Sequence, residues 1–346
     1  MQFYTLDPLL DTRWDDLVAS HPQASVFHRT GWLRALARTY GYRPVVLTSS
    51  PPGQRLSDGI AFCEIKSWIT GSRLVSLPFS DHAQPLLNEK GDTLGLTEWV
   101  HSERARFGWK YVEFRPVSAR PEWSRALETG QSFWLHTLSL EPPIEQLFSN
   151  THKSSIQRRI RHAENVHLEY ERGASRELID HFYDLLVITR KRHRLLPQPQ
   201  SWFRNLINEI SPDAEIRLVR KAGIPIAAIL TLRHRGTVVY KYGCSDHRFH
   251  HLAGMPFLYW KLIEESKSQG LEQIDFGRTE FENEGLVEFK DRLGTTRTKI
   301  SYLRYPQNPR TKPVQLSERS VVGSLFALLP GALSSGLGRI VYRHIG

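Results

Sequence analysis

The sequence predicts two α/β domains in tandem, each with a mixed sheet of the α+β type. Three observations carry this. The chain has 346 residues, about twice the length of an ordinary domain. Its hydrophobic period switches repeatedly between that of helices and that of strands. The order of those switches is nearly the same in two successive halves.

In the first half, residues 3–6 alternate as a strand and 13–19 repeat as a helix. Trp32, Leu33, Leu36, Ala37 and Tyr40 then share one helical face. Strands follow at 45–48, 60–65 and 74–77, then a helix at 94–107, a strand at 110–114 and a closing strand at 133–140. A basic helical stretch at 153–164 opens the second half, and Val166, Leu168 and Tyr170 alternate with polar residues as in a half-buried strand. Ser175 is placed to cap a helix whose Leu178, Ile179, Phe182, Leu185 and Leu186 share a face. Trp202, Phe203, Leu206, Ile207 and Ile210 repeat that spacing until Ser211-Pro212, because a residue before proline disfavours the helical region. Residues 215–220, 224–232 and 237–243, joined by turns at Ala222-Gly223 and Arg235-Gly236, read as three antiparallel strands. A helix at 254–267, a buried strand at 273–276, a short helix at 286–292 and a strand at 298–304 complete the half. The second half thus reads β-α-α-β-β-β-α-β-α-β after its opening basic helix, the first half repeats this order without the short last helix, and a duplicated domain accounts for the likeness. The expected domains are 1–145 and 150–308, joined across Pro142-Pro143 to Asn150, with an apolar and basic tail at 309–346.

Composition narrows the function. Hydrophobic residues at 40% and charged residues at 24% exclude a disordered or fibrous chain. Two isolated cysteines, Cys63 and Cys244, indicate neither a disulfide framework nor a zinc knuckle. No apolar run is long enough to span a bilayer and residues 1–11 lack a signal-peptide core, so a cytoplasmic protein is expected. Lys and Arg outnumber Asp and Glu by 46 to 36, a net charge of +10. Such an excess favours a polyanionic partner: phosphates, tRNA or an anionic membrane surface. The histidines contain no helical metal motif, and no metal is expected.

Several strings carry a family resemblance. Val26-Phe27-His28-Arg29-Thr30-Gly31-Trp32-Leu33 and Pro78-Phe79-Ser80-Asp81-His82 lie in the first half. Asp275-Phe276-Gly277-Arg278, Gly285-Leu286, Glu288-Phe289-Lys290 and Leu293-Gly294 lie in the second. With the element order, these strings resemble tandem domains of the GNAT acyltransferase fold as arranged in the FemAB family, over roughly residues 1 to 310. The resemblance implies acyl or aminoacyl transfer, with no tightly bound cofactor and with aminoacyl-tRNA or acyl-coenzyme A as donor. It puts Lys290, Arg278 and Asp275 at the reaction centre, Lys290 as the cation facing the oxyanion.

Other candidates surround that core. Glu280 and Arg292 extend the charged cluster, while Asp81 and His82, and Tyr240 and Tyr242 on one strand face, are candidate acceptor-binding residues. Arg158 and Arg161 form a helical stripe for phosphate or tRNA from which Arg159 points away. His251 and Gly254 stand where the GNAT fold holds a pyrophosphate at a helix N-terminus. A single glycine there, with Pro256 in place of the usual Gly or Ala, implies weak coenzyme A binding. Lys290→Met is expected to spare folding, because a similar stem fills the same space, and to lower turnover by about 10²-fold or more.

The function these features imply is an N-acyl or aminoacyl transfer to an amine of a cell-envelope precursor, of peptidoglycan or exopolysaccharide. Two alternatives stand beside it. One is an acyl-coenzyme A dependent GNAT N-acetyltransferase; the other is a non-catalytic basic protein binding RNA or a polysaccharide-assembly partner. Residues 321–346 add a candidate peripheral contact with the inner membrane surface, against packing on a domain.

Overall fold

The computed structural model describes residues 2–88, 93–125, 127–306 and 341–344. In chain order its elements are β1 (Tyr4–Leu6), α1 (Arg13–Ser20), α2 (Thr30–Tyr40), β2 (Arg43–Thr48), β3 (Ile60–Ile65), β4 (Arg73–Val75), α3 (Thr93–Phe107), β5 (Val112–Phe114) and β6 (Glu128–Ser139). Then come α4 (Ile144–Asn150), α5 (Arg158–Asn165), β7 (Glu169–Gly173), α6 (Arg176–Arg192), α7 (Gln200–Ile210), β8 (Ala214–Lys221), β9 (Ile224–His234) and β10 (Thr237–Ser245). The series ends with α8 (Gly254–Ser268), β11 (Gln273–Glu280), α9 (Glu284–Asp291) and β12 (Thr296–Tyr305). The mixed α/β class is as the sequence predicts. None of the described helices is long and apolar enough to cross a membrane.

The local boundaries have local causes. Gly41 takes a left-handed φ of 71° that stops α2, and the Ser175 side chain accepts from the Leu178 N–H at the start of α6. Strand β7 begins later than the expected 166, because His167 adopts a φ of 51° and turns the chain first. Helix α4 lies where a linker was expected: Pro143 leads into it, and Leu147 is buried on its inner face.

The chain divides into two compact units, one running to Ser132 and resuming at Ile300, the other spanning Phe133–Lys299. In the first, the strand order is β1-β2-β3-β4-β5-β12. Strands β4 and β5 run parallel, with Leu74 opposite Val112, and β12 pairs antiparallel with β5, with Leu303 opposite Phe114. Leu96 and Val100 of α3 pack with Phe62, Val112, Phe114 and Trp123 in one apolar cluster. Trp14 of α1 and Trp32 and Leu36 of α2 are fully buried as well.

In the second unit the order is β6-β11-β10-β9-β8-β7. Strand β6 pairs antiparallel with β11 from Ser139 opposite Gln273 to Phe133 opposite Glu280. Helices α4, α5 and α8 bury Leu147, Ile160, Phe257, Leu258 and Trp260 on one face of this sheet.

The strands expected to close each half are therefore exchanged. Residues 133–139 pair with β11, not with β5, and 300–305 complete the first sheet, not the second. Periodicity identifies a strand and its buried face but carries no information about which edge it joins. Of the expected tail, 309–340 lie outside the described residues. Residues 341–344 are helical and belong to the first unit, where the Tyr42 hydroxyl donates to the Tyr342 carbonyl at 2.7 Å.

Strand β12 brings Arg304 to a buried carboxylate. Glu113 is 2% exposed and accepts from Arg115 Nε at 3.0 Å and Arg304 Nε at 2.7 Å. Burial pushes its pKa up, but the two guanidiniums outweigh that and hold it below the usual carboxylate value. Arg304→Met leaves half of this carboxylate unpaired and should lower the unfolding free energy by about 2 kcal/mol. Urea unfolding at neutral pH measures it; an unchanged midpoint would show that Arg115 alone suffices.

Candidate active site

The second unit has one place where its sheet opens. Strands β10 and β11 pair in parallel for three residues, Thr237 with Gln273, Val238 with Ile274 and Val239 with Asp275, and then stop. Each strand is irregular just there. Against β9 the register of β10 shifts between Tyr240 and Tyr242; against β6 that of β11 shifts between Asp275 and Arg278. Bulges of this kind bend a strand and re-aim its side chains.

The β11 bulge is held by the residues the sequence singles out. Asp275, 4% exposed, accepts from the Gly277 N–H at 2.7 Å, which fixes Gly277 at a φ of 72°, a conformation glycine takes without Cβ strain. Lys290 reaches across from α9. Its Nζ donates to the carbonyls of Gly277 at 3.1 Å and Arg278 at 3.3 Å and to Thr279 Oγ1 at 2.8 Å. An ammonium has three N–H groups, and these are three acceptors. Lys290 is 4% exposed, so it is a buried ammonium satisfied by the bulge. The Arg278 guanidinium lies over the Phe133 ring at 4.2 Å.

A histidine the sequence analysis did not select completes the group. His136 of β6 is fully buried. The Thr295 hydroxyl donates to the Lys290 carbonyl at 2.9 Å, so it accepts from His136 Nδ1–H at 3.2 Å. Nε2 is then the bare ring nitrogen, and it has no hydrogen-bond partner. Burial, and then the Lys290 charge, push the imidazole pKa down to about 4. His136 is neutral at pH 7. Its only sequence signal is a lone histidine in an apolar strand, which core packing explains equally well.

The remaining candidates are distributed more widely. Glu280 is exposed, and Arg292 is paired with Glu288 one turn earlier on α9. Tyr240 and Tyr242 do not share a face. The bulge inserts one residue between them, so Tyr240 packs on Tyr259 and Phe276, with ring centroids at 5.1 and 6.1 Å. Tyr242 packs instead on Phe203, at 5.1 Å, and accepts from Trp202 Nε1 at 2.9 Å. Asp81 and His82 lie in the first unit, where the Asp81 carbonyl accepts from the Tyr302 hydroxyl at 2.8 Å and His82 is edge-on to Phe27.

Of the phosphate candidates, Gly254 is buried for packing. A Cβ there would stand 3.1 Å from Val219 and 3.2 Å from Ala227. Arg158, Arg161 and His251 are exposed, and Arg161 lies over Phe148 at 5.6 Å. Arg159, which the helical stripe leaves out, is the one that engages: its NH2 donates to the His250 carbonyl at 2.6 Å. Arg192 donates to His250 Nε2 at 3.2 Å and to His193 Nε2 at 2.9 Å. Burial and the two guanidiniums lower the His250 pKa, and neither Arg159 nor Arg192 meets a carboxylate among the described residues. The basic run 190–194 was the available signal for this cluster.

A short parallel ladder that parts, flanked by the antiparallel strands β8-β9-β10, resembles the core of the GNAT fold. Residues 150–291 match the family model described as Acetyltransferase (GNAT) domain. Solved structures of similar fold superpose on most of the chain. FemX superposes with a TM-score of 0.68 at 13% identity, over 87% of this chain and 97% of its own. A tandem GNAT protein from the clavulanic acid biosynthesis pathway gives 0.54 at 12% identity, over 90% and 99%. L-PGS from Bacillus licheniformis gives 0.54 at 16% identity, over 73% and 82%. No curated protein matches the sequence. The GNAT-like fold expected from the sequence is thus shared with these structures.

Two outcomes test this geometry. Met at position 290 would leave two carbonyls and a hydroxyl without their donor, so Lys290→Met should cost about 1–3 kcal/mol in chemical unfolding; the expectation that it spares folding counted only the space the stem fills. For His136, the folded pKa lies near 4 and the ordinary value is 6.5, so the unfolded chain binds the proton first. The contribution of the neutral ring is complete above pH 6.5 and is lost as pH falls towards 4, by at most about 3 kcal/mol. His136→Gln should flatten the stability profile across that window; an unchanged slope would place the titration elsewhere.

Proposed function

We propose that the protein is an N-acyltransferase of FemAB type that passes an activated acyl or aminoacyl group to an amine of a cell-envelope precursor. The observation that carries this is Lys290, a buried cation fixed at the point where β10 and β11 part. In acyl transfer a neutral amine attacks the activated carbonyl, the carbonyl oxygen takes the negative charge, and collapse expels the leaving group. The amine proton departs with that group. A fixed positive charge favours the charged intermediate over the neutral ground state and needs no reorganisation when the charge appears. Because its three N–H groups already have acceptors, Lys290 acts through its charge and by holding the bulge rigid. His136, neutral at pH 7, is too weak a base to take the proton. Positioning supplies the rest.

For the donor, the surface at Arg159, Arg192 and His250 favours a polyphosphate or tRNA, since two guanidiniums converge there without a carboxylate. Acyl-coenzyme A is the second reading, favoured by the family-model match over 150–291. At the start of α8, Gly254 is enclosed by packing and Pro256 lacks an N–H, so a pyrophosphate would rely on those side chains more than on the backbone.

Purified protein incubated with aminoacyl-tRNA or acyl-coenzyme A and a lipid-linked amine acceptor should yield an amide product by mass spectrometry. Lys290→Met, corrected for the folded fraction, should lower that turnover by about 10²-fold or more. Activity lost only in proportion to folding would remove Lys290 from the mechanism. Arg192→Ala should raise the donor KM and weaken its salt dependence without lowering kcat.

A further inference from the structure

Within the first unit, one hairpin presents apolar side chains to solvent in a fixed conformation. It joins β3 to β4, and at its tip Trp68 is 87% exposed and Ile69 52% exposed. Single exposed apolar residues are common. Two consecutive large ones at a hairpin tip are not explained that way, because nothing in the tip is loose. The Ser67 hydroxyl accepts from the Thr70 N–H at 2.9 Å, and the Ser67 carbonyl from the Gly71 N–H at 2.8 Å. Lys110 Nζ donates to the Thr70 carbonyl at 2.9 Å, and Arg73 donates to Thr70 Oγ1 at 2.6 Å. From the C-terminal turn, the His344 carbonyl accepts from Thr70 Oγ1 at 3.0 Å and from Arg73 NH2 at 2.8 Å. The backbone is thus anchored on several sides while the two apolar side chains stay largely exposed, Trp68 with its ring edge-on to His344 at 5.8 Å.

The rim is basic. Arg43 and Lys66 are each more than 70% exposed, and they share the single buried carboxylate of Glu64 at 3.8 and 3.6 Å. Arg343 is exposed beside Gly41. A tryptophan and an isoleucine projecting from a rigid tip, ringed by cations, match the boundary of an anionic bilayer. There the indole sits at headgroup depth, the aliphatic side chain reaches the acyl region, and each cation near the surface adds attraction. We propose that the Trp68–Ile69 hairpin is a membrane-docking surface for anionic phospholipid. This does not depend on acyl transfer, since an inactive enzyme would dock equally well.

The test is sedimentation of the full chain with vesicles of phosphatidylcholine, with and without phosphatidylglycerol. Wild-type protein should partition to the anionic vesicles, less so at high salt. Trp68→Ser with Ile69→Ser should lower that partition about tenfold or more, with an unchanged melting temperature because neither side chain is buried. Lys66→Gln should lower it several-fold. Wild-type protein that stays in the supernatant would overturn the proposal. So would a double variant that binds as well as wild type, which would assign the contact to another part of the chain. A wild-type dimer that the double variant abolishes, without vesicle binding by either, would overturn it in favour of self-association.

Discussion

The second unit is organised around the placement of one ammonium group. Removing a lysine charge from water is costly unless each N–H finds an acceptor, and a regular strand offers none, since its carbonyls are committed to the ladder. The bulge in β11 resolves this. By turning at Gly277 the strand frees the Gly277 and Arg278 carbonyls, and Asp275 keeps the turn from relaxing. The same irregularity coincides with the end of the β10–β11 ladder, so opening the sheet and stabilising the cation are one event. The register of β6 shifts there and α9 is seated on it, and the Lys290 charge adds to the burial that keeps His136 neutral.

The first unit meets a similar problem with opposite charge. Glu113 lies on a central strand and is buried between Arg115 and Arg304. Arg115 also donates to the Leu77 carbonyl at 3.1 Å and lies over the Tyr302 ring. Both units thus carry a buried charge at the strand that follows their parallel crossover. In the first it is a carboxylate held between two guanidiniums, while in the second it is an ammonium that donates to two carbonyls and a hydroxyl.

Much of this was legible in the sequence. The switch of period gave the elements, and Asp275, Gly277 and Lys290 stood out because a strand, a glycine and a lysine-bearing helix turn followed one another closely. What the sequence withheld was partnership. Nothing in residues 133–139 says that they pair with β11. Alternation puts Tyr240 and Tyr242 on one face, and a single inserted residue reverses that. His136 and Arg159 were hidden because their roles arise from contacts distant in the chain. Arg159 in particular was set aside by helical geometry, which describes its own helix and not the loop that meets it.

The exchange of closing strands has a consequence for synthesis. The partner of β5 emerges about 190 residues after it, since Phe114 pairs with Leu303, and a ribosome adds only about 5–20 residues per second. For the whole of that interval the first sheet has an open edge at β5, while strands β6 to β11 of the second unit are synthesised before β12. Strands β6 to β11 are therefore available to pair with one another before the first sheet is sealed. An unpaired strand edge is a template for misassembly, so the aggregation-prone interval of this protein lies before β12 leaves the exit tunnel, and slowing translation over that stretch would lengthen it.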